Sequence, residues 1–111
     1  MAIPRYLTSS GGEQVLVVDD DPVSIELLQG TLGRAGYQVT ACTSGAEALR
    51  RLERERPALM LVDYQMPDLD GPSTIERVRA LPWVGGLPVI LLTASLSETH
   101  VERAFAAGAN D

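Results

Sequence analysis

The chain is poor in three things that would open whole classes of function. It has a single cysteine, Cys42, so neither an internal disulfide nor a cysteine-built metal cluster is available. A buried, inert thiol at a strand end is the expected state of that residue. No apolar stretch approaches the roughly 18 residues of a membrane-spanning helix. The segment Met1 to Glu13 lacks an apolar core of the signal-peptide kind. Basic residues are few and scattered: 9 Lys and Arg against 15 Asp and Glu leave a net charge of −6. Phosphate backbones are bound by clustered cations, so direct nucleic-acid binding is not expected. These shortages lead to the expectation of an intracellular, cytoplasmic protein with no membrane partner. At 111 residues the chain holds one domain, with little core to spare.

What is present is a regular switching between two apolar periods. After a tail over residues 1–13 rich in Ser and Gly, Val15 to Val18 is a continuous apolar run, as expected of a parallel strand buried on both faces. Asp21 suits an N-cap and Pro22 a first helical position, with Ile25, Leu28, Leu32 and Ala35 on one helical face and Gly36 ending the helix. Tyr37 to Cys42 reads as a second strand. Ser44 then caps a helix that turns Ala48, Leu49 and Leu52 inward until Pro57 stops it. Leu59 to Val62 is a third strand, and Pro72 opens a third helix carrying Ile75, Val78 and Leu81, closed by Pro82. Val89 to Leu92 is a fourth strand, followed by Thr93-Ala94-Ser95 and a fourth helix from Ser97 to Ala107 that ends at Gly108. Strands alternating with helices through short loops predict an α/β fold: a doubly wound parallel sheet in a (βα)₄ arrangement with helices on both faces.

Two of the apolar runs end in acid. Val15–Val18 leads into Asp19, Asp20 and Asp21, and Leu59–Val62 leads into Asp63. If those strands are neighbours, the carboxylates meet at the sheet edge where open α/β sheets place ligands. Like charges that close raise each other's pKa or recruit a hard divalent cation, which points to Mg²⁺. Asp63 is the expected nucleophile, able to attack a phosphoryl group and form an acyl phosphate, with Asp19 and Asp20 holding the metal. The Thr93 hydroxyl and the Ala94 backbone N–H are placed to meet the phosphoryl oxygens. Asp21, Asp68 and Asp70 are read as caps of helices and turns.

VLVVDDDP, LMLVDYQMPDLDG, PVILLTA and the closing AAGAND stand in the order and approximate spacing of one family. From about Gln14 to Asp111 the chain resembles the receiver domain of two-component response regulators. The resemblance implies a flavodoxin-like, CheY-like fold with Asp63 as phosphoacceptor and Asp20 as a direct Mg²⁺ ligand. It implies that Asp19 acts on the metal largely through water and Gln65 through its backbone carbonyl, with Thr93 as the switch hydroxyl. It also implies a sensor histidine kinase or phosphotransfer protein as phosphodonor, and a protein-interaction surface switched by phosphorylation rather than turnover of a substrate.

The family pattern continues into a fifth strand bearing a Lys and a neighbouring cis-Pro, then a fifth helix. Here the sequence stops at Asp111, so residues 14–111 are expected to form a C-terminally truncated receiver with slow or poorly stabilised phosphorylation. The fourth-strand edge, Val89 to Leu92, is then expected to pair with a second copy or another protein. Two rival readings remain: a phosphohydrolase with an aspartyl nucleophile, which would carry a second acid where Gln65 stands, and a docking module that is never phosphorylated. His100 is expected on a solvated helix face, Trp83 over the end of the core, and Glu53-Arg54-Glu55-Arg56 as a soluble helix end.

Overall fold

The computed structural model describes residues 13–66, 68–82, 84, 86–92 and 108–110. The expected tail before Glu13, Pro67, Trp83, Thr93, Ala94, His100 and the helix expected from Ser97 to Ala107 lie outside those residues. The elements follow one another as β1 (Gln14–Val18), α1 (Pro22–Arg34), β2 (Gln38–Cys42), α2 (Gly45–Leu52), β3 (Leu59–Asp63), α3 (Gly71–Arg79) and β4 (Val89–Leu92). The strands form one parallel sheet in the order β2-β1-β3-β4.

The two central strands, β1 and β3, are aliphatic runs because both of their faces are covered. Val15, Leu16, Val17 and Val18 of β1 and Leu59, Met60, Leu61 and Val62 of β3 are all buried. Alternation divides them between two cores. Leu16, Val18, Met60, Val62 and Val89 pack with Ala48 and Leu52 of α2 and Ile75 and Val78 of α3. Val15, Val17, Leu59 and Leu61 pack with Leu32 of α1 and with Tyr37. The helices therefore lie on both faces of the sheet. The chain reverses its direction of travel across the sheet after β2, so a crevice opens at the carboxyl ends of β1 and β3, where their loops part toward opposite faces.

The helix starts follow their caps. Asp21 accepts from the Val23 N–H, Ser44 from the Glu47 N–H and Asp70 from the Ser73 N–H, with Pro22 and Pro72 in the first turns they open. Two helix ends differ from expectation. α2 stops at Leu52 rather than running to Pro57, because the N–H groups of Glu53 and Arg54 turn back to carbonyls three residues earlier and the Arg56 guanidinium takes the Leu52 carbonyl at 2.8 Å. α3 stops at Arg79 rather than at Pro82, and Ala35, expected inward, is the exposed C-cap of α1.

The outer edge of β4 is not open along its whole length. At Val89 it is taken by Asn110, whose N–H donates to the Val89 carbonyl at 2.8 Å and whose side-chain oxygen accepts the Val89 N–H at 2.8 Å. Arg79 holds this segment in place by donating to the Asn110 oxygen at 2.6 Å, the Gly108 carbonyl at 3.0 Å and the Leu87 carbonyl at 2.6 Å. The expectation of an unpaired edge fails at Val89, since local sequence carries no sign that Asn110 returns there.

Candidate functional site

Asp19 follows directly on β1, and its N–H continues the β1–β2 ladder by donating to the Cys42 carbonyl at 3.0 Å. That bond places its carboxylate at the crevice, where it is only 5% exposed and accepts the Asp21 N–H at 2.9 Å. Asp20 is exposed beside it. Asp63 is the last residue of β3, in register with Leu92 of β4. One carboxylate oxygen from each of Asp19, Asp20 and Asp63 lies within 4.8 Å of the others. The convergence expected from the two acid-ended strands is therefore present.

The electrostatics carry the mark of that crowding. Partial burial, then the charges of Asp19 and Asp20, push the Asp63 carboxyl from its ordinary 3.8 up to about 6, against the opposing pull of the Gln65 and Tyr64 backbone N–H groups. Three hard oxygen donors around one point, at the cost of mutual repulsion, fit a small divalent cation whose remaining positions are filled by water. Cys42 lies nearby at the end of β2, and there burial, aided by Glu47, pushes the thiol up to about 12, as expected of an inert core cysteine.

The loop after Asp63 is closed tightly. The Gly71 N–H donates to the Tyr64 carbonyl at 2.7 Å, and a Cβ at Gly71 would lie 2.5 Å from the Asp63 carbonyl oxygen and 2.9 Å from the Tyr64 Cα. Only glycine allows that approach. Within the loop Gln65 is exposed and Met66 is buried in the core beneath α2 and α3. Thr93 and Ala94 lie outside the described residues. Asp21 and Asp70 cap α1 and α3, as read from the sequence. Asp68 is a cap as well, but of α2: its two oxygens accept the N–H groups of Gly45 at 3.3 Å and Ala46 at 3.1 Å. Nothing in the loop's own sequence signals a partner 22 and 23 positions away.

The match to known proteins covers the same elements. A model of the response regulator receiver domain matches residues 15–111. An uncharacterized 14.6 kDa protein of Leptolyngbya boryana is 45% identical over 97 residues, which are 87% of this chain and 74% of that protein. The transcriptional regulatory protein GltR of Pseudomonas aeruginosa is 37% identical over 103 residues, or 93% of this chain, although the chain spans only 43% of GltR's length. Among solved structures, the receiver domain of the sensor histidine kinase PA1611 of Pseudomonas aeruginosa superposes with a TM-score of 0.84 at 36% identity, covering 91% of this chain and 83% of that one. That receiver has a magnesium ion coordinated in its active-site cleft. With an all-parallel sheet in the CheY-like order and an acidic crevice at its switch point, the chain belongs to the response regulator receiver domains, the phosphorelay receivers of two-component signalling.

Proposed function

We propose that Asp63 is the phosphoryl acceptor of this receiver, and that Asp19, Asp20, Asp63 and the Gln65 backbone carbonyl are the groups that hold Mg²⁺. The observation that carries the reading is the meeting of three carboxylates within 4.8 Å at one strand end. In this reading an Asp63 oxygen attacks the phosphorus of a phosphohistidine on a sensor kinase or phosphotransfer protein. The P–N bond breaks, its electron pair leaves with the imidazole nitrogen, and an acyl phosphate forms on Asp63. Attack by water on that phosphorus later returns the carboxylate and inorganic phosphate. Bound Mg²⁺ neutralises charge on the phosphoryl oxygens. The attacking form is the carboxylate, and with its proton held to about 6, Asp63 is mostly ionised at neutral pH. The Thr93 hydroxyl and the Ala94 N–H are assigned to the phosphoryl oxygens.

The product is a switched protein surface, with no substrate turned over beyond the domain's own phosphorylation and hydrolysis. A net charge of −6 suits protein partners better than nucleic-acid backbones. The same reading places the domain in the cytoplasm with its kinase. A small phosphodonor with Mg²⁺ should add one phosphoryl group that hydroxylamine removes, and Asp63→Asn should not label. Labelling of Asp63→Asn equal to the parent's sinks the assignment; a parent that never labels is a docking module instead.

A further inference from the structure

We propose that Asp68 is a positioning residue for the metal site: its carboxylate straps the β3–α3 loop to the amino end of α2 and so holds the Gln65 peptide against Asp63. The inference rests on the assignment of Asp19, Asp20, Asp63 and Gln65 as the metal-holding groups.

The loop's two ends are pinned where the Gly71 N–H meets the Tyr64 carbonyl, and Met66 anchors its inner side. The Asp68 side chain itself has no core to rest on, since it is exposed. What it has is a pair of bonds to a different element, from Gly45 to one Asp68 oxygen and from Ala46 to the other. These are among the first N–H groups of α2, which have no acceptor within their own helix. α2 is already capped by its own residues: Ser44 Oγ takes the Glu47 N–H at 3.1 Å, and the Glu47 carboxylate reaches back to the Thr43 N–H at 3.3 Å. The added bonds therefore attach the loop to a helix that stands without them. Burial is the largest single influence on the Asp68 carboxyl and opposes its charge, but the backbone N–H groups of Ala46, Gly45, Leu69 and Asp68 together hold it below the usual range.

The anchor itself is firm. Gly45 packs so closely on α3 that a Cβ there would collide with Thr74 Oγ1 and come within 3.2 Å of the Leu69 Cβ. Thr74 is fully buried and donates to the Asp70 carbonyl at 2.9 Å. The loop is thus bracketed between two packed helices. The Gln65 N–H already faces the Asp63 carboxylate, so a shift of the loop moves that N–H and the Gln65 carbonyl together. Groups that orient a ligand are worth about 10-fold or more in metal affinity.

Mg²⁺ titrated into the intact chain, followed through the Asp20 and Asp63 amide resonances, tests this. Asp68→Ala should weaken Mg²⁺ about 10-fold and speed amide exchange at Gln65 in the metal-free protein. Asp68→Asn, which keeps one acceptor oxygen, should fall between it and the parent. Ser44→Ala removes a cap of α2 without touching the strap, so it should lower stability and leave Mg²⁺ affinity and Gln65 exchange where they are. Equal Mg²⁺ affinity in the parent and Asp68→Ala overturns the inference and leaves the metal assignment standing. Equal losses in Asp68→Ala and Ser44→Ala do the same, because the effect is then helix capping alone. A parent blind to millimolar Mg²⁺ overturns the metal assignment and this inference with it.

Discussion

On one face of the sheet, Leu16, Val18, Met60, Val62 and Val89 lie beneath α2 and α3, and Met66, Val84, Leu87 and Ala109 fill the margins. On the other face, Val15, Val17, Leu59 and Leu61 meet α1 alone among the described helices, while Val39, Ile90 and Leu92 stay partly exposed. α1 also presents Val23 and Leu27, 63% and 67% exposed, to its surroundings. The site draws on both faces. Asp19 and Asp20 lead into α1 on the thinly covered side, whereas Asp63 leads into the loop strapped to α2 and α3 on the crowded side. The crowded face holds the loop's geometry, and Asp20 keeps the acidic crevice in contact with solvent.

That contrast breaks most visibly in the cores. Ile75 of α3 is fully buried on the crowded face, so Ile75→Ala should cost about 3 kcal/mol through lost transfer energy and an uncollapsed cavity. Ile90 is half-buried on the other face, where fewer of the described residues pack and water already reaches the side chain. Ile90→Ala should cost about 1 kcal/mol. Urea unfolding of both variants measures the difference, and equal losses would mean that the thin face is as well covered as the other.

The next effect lies at the crevice, where charge rather than packing sets the sign. The Asp63 carboxyl is raised to about 6 in the folded protein from an ordinary 3.8. Below 3.8 it is neutral in both folded and unfolded chains, so stability is undiminished. Between 3.8 and about 6 the unfolded chain ionises first, and stability falls as pH rises. Above that window the loss is constant. A shift of this size nominally exceeds 2 kcal/mol, but Asp63 is partly solvated, and screening reduces the figure to about 1 kcal/mol. Asp63→Asn should therefore stabilise the metal-free protein at neutral pH by about 1 kcal/mol and flatten its profile between pH 4 and 6, approximately the window set by Asp63. Thermal unfolding across that range checks the slope; a parent whose stability rises through the window contradicts the sign.

The two central strands and the three convergent carboxylates were readable from sequence because burial on two faces forces unbroken aliphatic runs, and acid directly after such a run has one place to go. Helix starts were readable for a similar reason: Asp21, Ser44 and Asp70 satisfy N–H groups within their own first turns. The end of α2 was not, because the mixed charges from Glu53 to Arg56 are compatible with another helical turn. Only the fold shows Arg56 reaching back to the Leu52 carbonyl. The partners of Asp68 and Asn110 were not legible for the same reason: each side chain accepts from an N–H more than 20 positions away, and no local pattern encodes a distant N–H.

The smallest expected difference compares the two caps that open helices on opposite faces. Asp21 begins α1, accepting from the Val23 N–H at 3.1 Å and the Ser24 hydroxyl at 3.0 Å; Asp70 begins α3, accepting from the Ser73 N–H at 2.9 Å. By its own bonds Asp21 is a full helix cap. It follows directly on Asp19 and Asp20, however, so its charge adjoins theirs in the chain, whereas no carboxylate of that cluster adjoins Asp70 in the chain. Asp70→Ala should then cost about 1 kcal/mol, and Asp21→Ala a few tenths, because relief of repulsion offsets the lost cap. A cation in the crevice removes that offset, so saturating Mg²⁺ should bring the cost of Asp21→Ala up toward that of Asp70→Ala. Urea midpoints of both variants with and without Mg²⁺ decide the matter: a cost for Asp21→Ala that ignores the metal would mean its carboxylate is a cap and nothing more.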